Sequence, residues 1–103
     1  MRRLASLAVA LTVAAQAPAS ADAEFGRWLS SECVTCHLLE GAPQGVPSIV
    51  GWPQDAFVQV MEAYRSGERR HDVMNTIAAR YDDEELAALA AYFEEAGAKD
   101  PLD

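Results

Sequence analysis

Two thiols and an imidazole stand within five residues in Cys33-Val34-Thr35-Cys36-His37. This is C-x-x-C-H, the pattern by which a chain attaches a c-type haem. The chemistry needs that order and spacing. Cys33 and Cys36 would add across the two vinyl groups of one porphyrin edge. His37, directly after the second thiol, would then sit beneath the iron as its proximal ligand. These are the chain's two cysteines, so none remains for a disulfide. Two other readings compete. A thioredoxin-like redox pair expects a βαβ context, and no strand pattern here is long enough to supply one. A zinc site needs four ligands. Cys33, Cys36, His37 and His71 nominally provide them, but 34 residues separate the histidines.

The residue on the far side of the iron decides the job. Met74 lies 37 residues beyond His37, ample chain to pass round the ring edge. A thioether there favours ferrous iron and raises the potential, as an electron carrier needs. Ordinary core packing is the common fate of a methionine. Met61 is a rival ligand that fits an apolar helix stripe better, and His71 would give a bis-histidine haem. An open site is the remaining alternative. A proximal histidine commonly donates its second ring N–H to a backbone carbonyl, which orients it. Pro47, on the loop ten residues after His37, offers such a carbonyl and is equally readable as a plain turn residue. Trp52, Tyr64, Arg65, Arg69 and Arg70 are candidate contacts for the haem ring or its propionates; the arginines read equally well as a solvated loop.

The elements that must position these groups read as helices around a long loop. A first helix is expected from about Glu24 to Cys33, with Phe25, Trp28, Leu29 and Glu32 at helical spacing and Asp22 as N-cap. It would deliver the cysteines at its C-terminal end. Gly41, Pro43, Gly45, Pro47 and Gly51 make residues 38–52 a loop. A second helix opens at Pro53 and runs to about Arg65, with Phe57, Val60, Met61 and Tyr64 inward and Gly67 as its stop. A short helix follows from Asp72 or Val73 to about Arg80, with Ile77 and Ala78 inward. The last helix has Asp82 as N-cap and Glu85 three residues on, a capping box. Leu86, Leu89, Ala90 and Phe93 share one of its faces, and Gly97 is its expected end. The class is all-α, three to four helices around one covalently attached haem.

Upstream, Met1-Arg2-Arg3 is a short basic start, residues 4–15 are an almost unbroken apolar run, and small residues follow. This is the layout of a secretory signal peptide. The run is shorter than the about 20 apolar residues that span a bilayer. An uncleaved anchor or a surface helix is the competing reading. Cleavage after Ala21 or Ala23 is expected. The second assigns 1–23 to the signal and 24–103 to one mature domain, without a stable membrane anchor. Haem is attached covalently outside the bacterial cytoplasmic membrane, so a periplasmic location is expected.

Removing residues 1–23 takes Arg2, Arg3 and Asp22 away, which leaves 15 acids, 6 bases and a net charge of −9. Such acidity argues against nucleic acid, whose phosphates demand Lys and Arg. It suits docking to a basic patch on a protein, or simply solubility. An 80-residue domain buries little core of its own and commonly needs a staple. A porphyrin held by two thioethers would be that staple here.

The order of these features resembles the small class I c-type cytochromes along nearly the whole mature chain. C-x-x-C-H, then Pro47-x-Ile49-x-Gly51, the Met74 segment and Leu89-Ala90-Ala91-Tyr92-Phe93 follow that family's sequence. The resemblance implies that the first and last helices cross, with Gly26 and Leu29 meeting Leu89 and Tyr92. It also implies a Pro47 carbonyl on the proximal His37 and Met74 as distal ligand. A narrower resemblance is to the cytochrome subunit of flavocytochrome c sulfide dehydrogenase. It is carried by residues 46–53, by Tyr64-Arg65-Ser66-Gly67-Glu68-Arg69-Arg70 through Met74, and by residues 81–86. In that family an FAD-containing subunit oxidises sulfide and passes electrons to the haem. Leu38, where Gly is common, and a single haem pattern, where some relatives carry two, are departures.

The function expected is therefore single-electron transfer through haem c, with an FAD-containing flavoprotein and a downstream redox protein as partners. A free soluble carrier between a respiratory or photosynthetic complex and a terminal acceptor is the alternative. A haem sensor with an open iron site is a third, from a different class. No catalytic activity is expected of this chain alone: it holds no carboxylate pair, nucleophile-and-base arrangement or nucleotide-binding glycine loop.

Overall fold

A computed structural model describes residues 2–12 and 19–98. Among these residues the regular structure is all helical: α1 (Ala19–Leu29), α2 (Ser31–Val34), a one-turn 3-10 helix (Pro43–Gly45), α3 (Gln54–Ser66), α4 (Asp72–Ala78) and α5 (Asp83–Ala98). The all-α class is as expected, with one more helix than the three to four anticipated.

The additional helix comes from a break in the first one. At Ser30 the backbone turns (φ −72°, ψ −8°), and the Ser30 hydroxyl donates to the Arg27 carbonyl at 2.6 Å. That bond closes α1 at Leu29 and lets α2 restart at Ser31, so the cysteines sit on a separate short turn. α1 also begins earlier than expected. Asp22 lies inside its first turn and is not its N-cap. The helix thus runs across both expected cleavage points.

α5 is the platform of the fold. Its start is the capping box expected: the Glu85 N–H donates to Asp82 Oδ1 at 2.8 Å, and Glu85 Oε1 accepts the Asp82 N–H at 3.1 Å. Leu86, Leu89, Ala90 and Phe93 are fully buried. α1 crosses α5 where Gly26 lies on Ala88 and Tyr92. A Cβ on Gly26 would overlap the Ala88 carbonyl oxygen and come within 2.8 Å of Tyr92 Cβ. On another side of α5, Phe57 of α3 stacks on Phe93 with ring centroids 5.7 Å apart.

Gly97 does not end α5, which continues to Ala98. Its lack of a side chain serves a close approach instead, since a Cβ there would overlap the backbone of Gly51. The Gly51 N–H donates to the Phe93 carbonyl at 2.8 Å, which pins the preceding loop to α5. α5 also closes the start of α3. Pro53 occupies the N-cap position, one before the first helical residue, and has no side chain that can cap. Glu94 supplies the missing acceptor: its carboxylate takes the Gln54 N–H at 3.1 Å and the Gln54 side-chain amide at 3.2 Å. α3 ends at Gly67 in the left-handed conformation (φ 83°), as expected.

No helix among the described residues is long and apolar enough to cross a membrane. Leu4, Leu7, Val9 and Leu11, from the apolar N-terminal run, are exposed. Residues 13–18, within the expected signal segment, lie outside the described residues.

Candidate functional site

α2 presents the two thiols differently. The Cys33 N–H donates to the Ser30 carbonyl at 2.9 Å, and the Cys33 carbonyl in turn accepts from Cys36 at 3.2 Å and from His37 at 2.8 Å. This tight turn leaves Cys33 buried in the core and Cys36 exposed, both as free thiols. Burial pushes the Cys33 thiol up to about 11, with the neighbouring Glu32 carboxylate adding to the effect.

His37 is half-buried, and its Nδ1 lies 2.6 Å from the Pro47 carbonyl oxygen. A carbonyl only accepts, so Nδ1 must carry the proton and Nε2 keeps its lone pair free for a metal. The Pro47 carbonyl is in place because the loop behind it is clamped to α5 through Gly51 and Phe93. Val34, Ile49, Trp52, Met74 and Ile77 pack against the core cluster that contains Cys33, yet each stays only partly buried. Two free thiols, a ring nitrogen with a directed lone pair, a thioether and these partly covered apolar groups are the chemical types that fit a haem. Residues Cys33, Cys36, His37, Met74 and Trp52 would hold it.

The rival ligands fall elsewhere. Met61 is buried in the core with Phe57. His71 is exposed at the N-cap of α4, where its Nδ1 accepts the Met74 N–H at 3.4 Å. Among the described residues, no three His, Cys, Asp or Glu side chains converge as a metal site. The zinc reading that joins His71 to Cys33, Cys36 and His37 therefore has no geometric support.

The cationic loop divides into two. Arg65 turns away from its neighbours in sequence: it donates to the Tyr81 carbonyl at 3.1 Å and pairs with Asp83, so its guanidinium is already engaged. Arg69 lies over the half-buried Tyr64 ring, 5.2 Å from the centroid, and its Nε donates to the Tyr64 hydroxyl at 3.0 Å. Arg70 is exposed and lines a shallow polar depression with Tyr64, Asp72, Asn75 and Thr76.

Two groups in this region carry no signal in the sequence. Glu32, read there as a helix-face residue, binds Arg80 at 2.9 Å and the buried Tyr81 hydroxyl at 3.2 Å, tying α2 to the α4–α5 corner. Burial pushes the Tyr81 hydroxyl up to about 12, helped by Cys33 and by Glu32. Asn75 makes three side-chain hydrogen bonds beside Met74. An acid in a short helix and an Asn inside another look ordinary until their partners are known.

Comparison with known proteins bears on this site. No family model matches the chain. It is 35% identical over 71 residues to a thiosulfate dehydrogenase electron acceptor of Stutzerimonas stutzeri (strain A1501), covering 66% of this chain and 33% of that protein. It is 30% identical over 93 residues to cytochrome c-553 of Nitratidesulfovibrio vulgaris (strain DSM 19637 / Miyazaki F), covering 84% of this chain and 88% of that protein. The chain thus spans about a third of the first relative and nearly all of the second.

Proposed function

This chain belongs to the small c-type cytochromes, electron carriers built on covalently attached haem, and on that premise we propose that it is a periplasmic monohaem carrier with His37 and Met74 as axial ligands. A haem bound to Cys33 and Cys36 supplies one-electron exchange at its iron. The observation that carries the reading is the 2.6 Å contact from His37 Nδ1 to the Pro47 carbonyl. It fixes the tautomer, aims Nε2, and makes the imidazole a stronger donor. Met74 offers a soft sulfur from α4, and its partial burial limits water at that position. Val34, Ile49, Trp52 and Ile77 would cover the ring and lower the local dielectric. Tyr64, Arg69 and Arg70 provide hydroxyl and cationic groups suited to propionates. The basic start and apolar run of residues 1–15 support a leader that is removed on export.

The donor we propose is a sulfur-compound dehydrogenase, in particular an FAD-containing sulfide dehydrogenase of which this chain is the cytochrome subunit. Residues 46–53, 64–74 and 81–86 support that choice. One relative is named as an electron acceptor of thiosulfate dehydrogenase, which supports sulfur oxidation more broadly. A free carrier is the second reading, favoured by the near full-length match to a small cytochrome c-553.

Oxidised and reduced spectra and a midpoint potential, taken on wild type and Met74→Ala, test the ligand set. Loss of the sulfur–iron band is expected in the variant, with a potential lower by at least about 100 mV, where about 59 mV corresponds to each tenfold change for one electron. An unchanged spectrum and potential defeat Met74 ligation. Intact mass gives the haem count and the mature N-terminus. Affinity recovery from periplasm separates the two partner readings. Stoichiometric FAD-containing sulfide dehydrogenase supports the subunit, and its absence supports the free carrier.

A further inference from the structure

Asn75 follows Met74 directly, and its side chain is tied to three separate pieces of backbone. Its Nδ2 donates to the Tyr64 carbonyl at 2.7 Å and to the Arg69 carbonyl at 2.8 Å, while Oδ1 accepts the His71 N–H at 2.9 Å. Every partner is a main-chain group of fixed sense, so the orientation of the amide is determined. Tyr64 is in the last turn of α3, Arg69 is in the loop, and His71 is the N-cap of α4. One side chain therefore locks the end of one helix, the connection and the start of the next.

The rest of this connection is held by the Arg69 N–H on the Ala63 carbonyl at 3.0 Å and by the Arg69 side chain on Tyr64, neither of which reaches α4. Residues 68–73 are all exposed, and Val73, the hydrophobic residue among them, is 57% exposed. Apolar packing does not fix the approach to Met74, so polar bonds must. The Met74 N–H itself reaches only the His71 ring, at a long 3.4 Å.

We propose that Asn75 is the positioning residue for the distal ligand: by fastening Tyr64, Arg69 and His71 together it holds the Met74 thioether at the iron. This rests on Met74 being that ligand. Without Asn75 the loop keeps its sequence but loses three bonds, and Met74 spends more time displaced. Each such bond is worth roughly a factor of five, so the displaced population should rise by about ten- to a hundredfold.

The test uses holoprotein carrying Asn75→Ala, Asn75→Asp or Thr76→Val, held well below its melting temperature. Asn75→Asp retains an acceptor for His71 but loses both donated bonds. Thr76→Val removes an exposed bond within α4 to the Asp72 carbonyl and serves as the local control. The readouts are the rate of CO binding to the reduced protein and the sulfur–iron band of the oxidised one. Asn75→Ala should bind CO about ten- to a hundredfold faster and lose band intensity. Asn75→Asp should move the same way by less, and Thr76→Val should match wild type. A lower melting temperature in Asn75→Ala, with both readouts unchanged, overturns the proposal. If Asn75→Ala yields no holoprotein, Asn75→Asp decides by the same two readouts. Wild type separates the failures. A missing band there defeats Met74 ligation itself, whereas a normal band with unresponsive Asn75 variants defeats only the positioning role.

Discussion

The two nitrogens of His37 do different work because of one carbonyl. The Pro47 carbonyl accepts the Nδ1–H hydrogen bond, and Nε2 is left with a lone pair free for a metal. Tyr81 illustrates the same dependence on surroundings. Its hydroxyl is hydrogen-bonded to Glu32 and, in the chain with free thiols, raised from 10.0 to about 12 by burial, with Cys33 and Glu32 adding to the effect. The folded state therefore favours the neutral phenol more than the unfolded state does. That contribution is fully present below pH 10 and is lost as pH rises towards about 12, because the unfolded chain releases its proton first. Melting temperatures of wild type should fall as pH rises above 10, by less than in the chain with a free Cys33 thiol, because haem attachment removes that thiol's share of the shift. Tyr81→Phe should be less stable at neutral pH by about 1 kcal/mol and should show a shallower alkaline decline. Parallel curves for the two proteins would remove Tyr81 from the explanation.

Among the elements, α5 does most of the organising. It receives α1 at Gly26, stacks Phe93 under α3, caps α3 with Glu94, and anchors the loop that carries Pro47. Gly26→Ala gives two opposed effects. Helix propensity alone favours alanine by about 1 kcal/mol. Overlap of the new Cβ with the Ala88 carbonyl forces the helices apart and costs about 3 kcal/mol, because main-chain atoms cannot step aside. The net expectation is a loss of about 2 kcal/mol in denaturant unfolding of the holoprotein. A variant as stable as wild type would show that α1 and α5 can separate at little cost.

At the scale of the molecule, size and charge set two further expectations. With the expected signal segment removed, the remaining domain would have a small core and only partly covered Val34, Ile49, Trp52, Met74 and Ile77. Haem-free protein, made with both cysteines replaced by alanine, should lack a cooperative thermal transition, and a sharp, stable melt would refute the porphyrin as staple. The net charge of −9 on that segment should steer the protein towards a basic partner surface. Electron-transfer rates with such a partner should fall at least about tenfold between 10 mM and 500 mM salt as the Debye length shrinks from about 30 Å to a few Å. Salt-independent rates would leave the acidity a role in solubility alone.

Local signals made several features legible from the sequence alone. C-x-x-C-H is contiguous, the Asp82–Glu85 box spans one turn, and Gly67 acts on the helix immediately before it, so neighbours in the chain suffice to read them. The all-α class followed from apolar spacing for the same reason. Features that depend on distant partners needed the fold. Gly97 meets Gly51 across the molecule and so packs where it was expected to terminate. Arg65, in the last turn of α3, is claimed by Asp83 and the Tyr81 carbonyl, not by the loop that carries Arg69. Ser30 breaks the first helix with a bond that a simple helical period does not reveal. Asn75 gains its importance only when α3, the loop and α4 converge on it. Sequence alone therefore determined which groups are available for haem chemistry. Tertiary structure decided how they are aimed, because a hydrogen bond's direction depends on where the chain brings its acceptor.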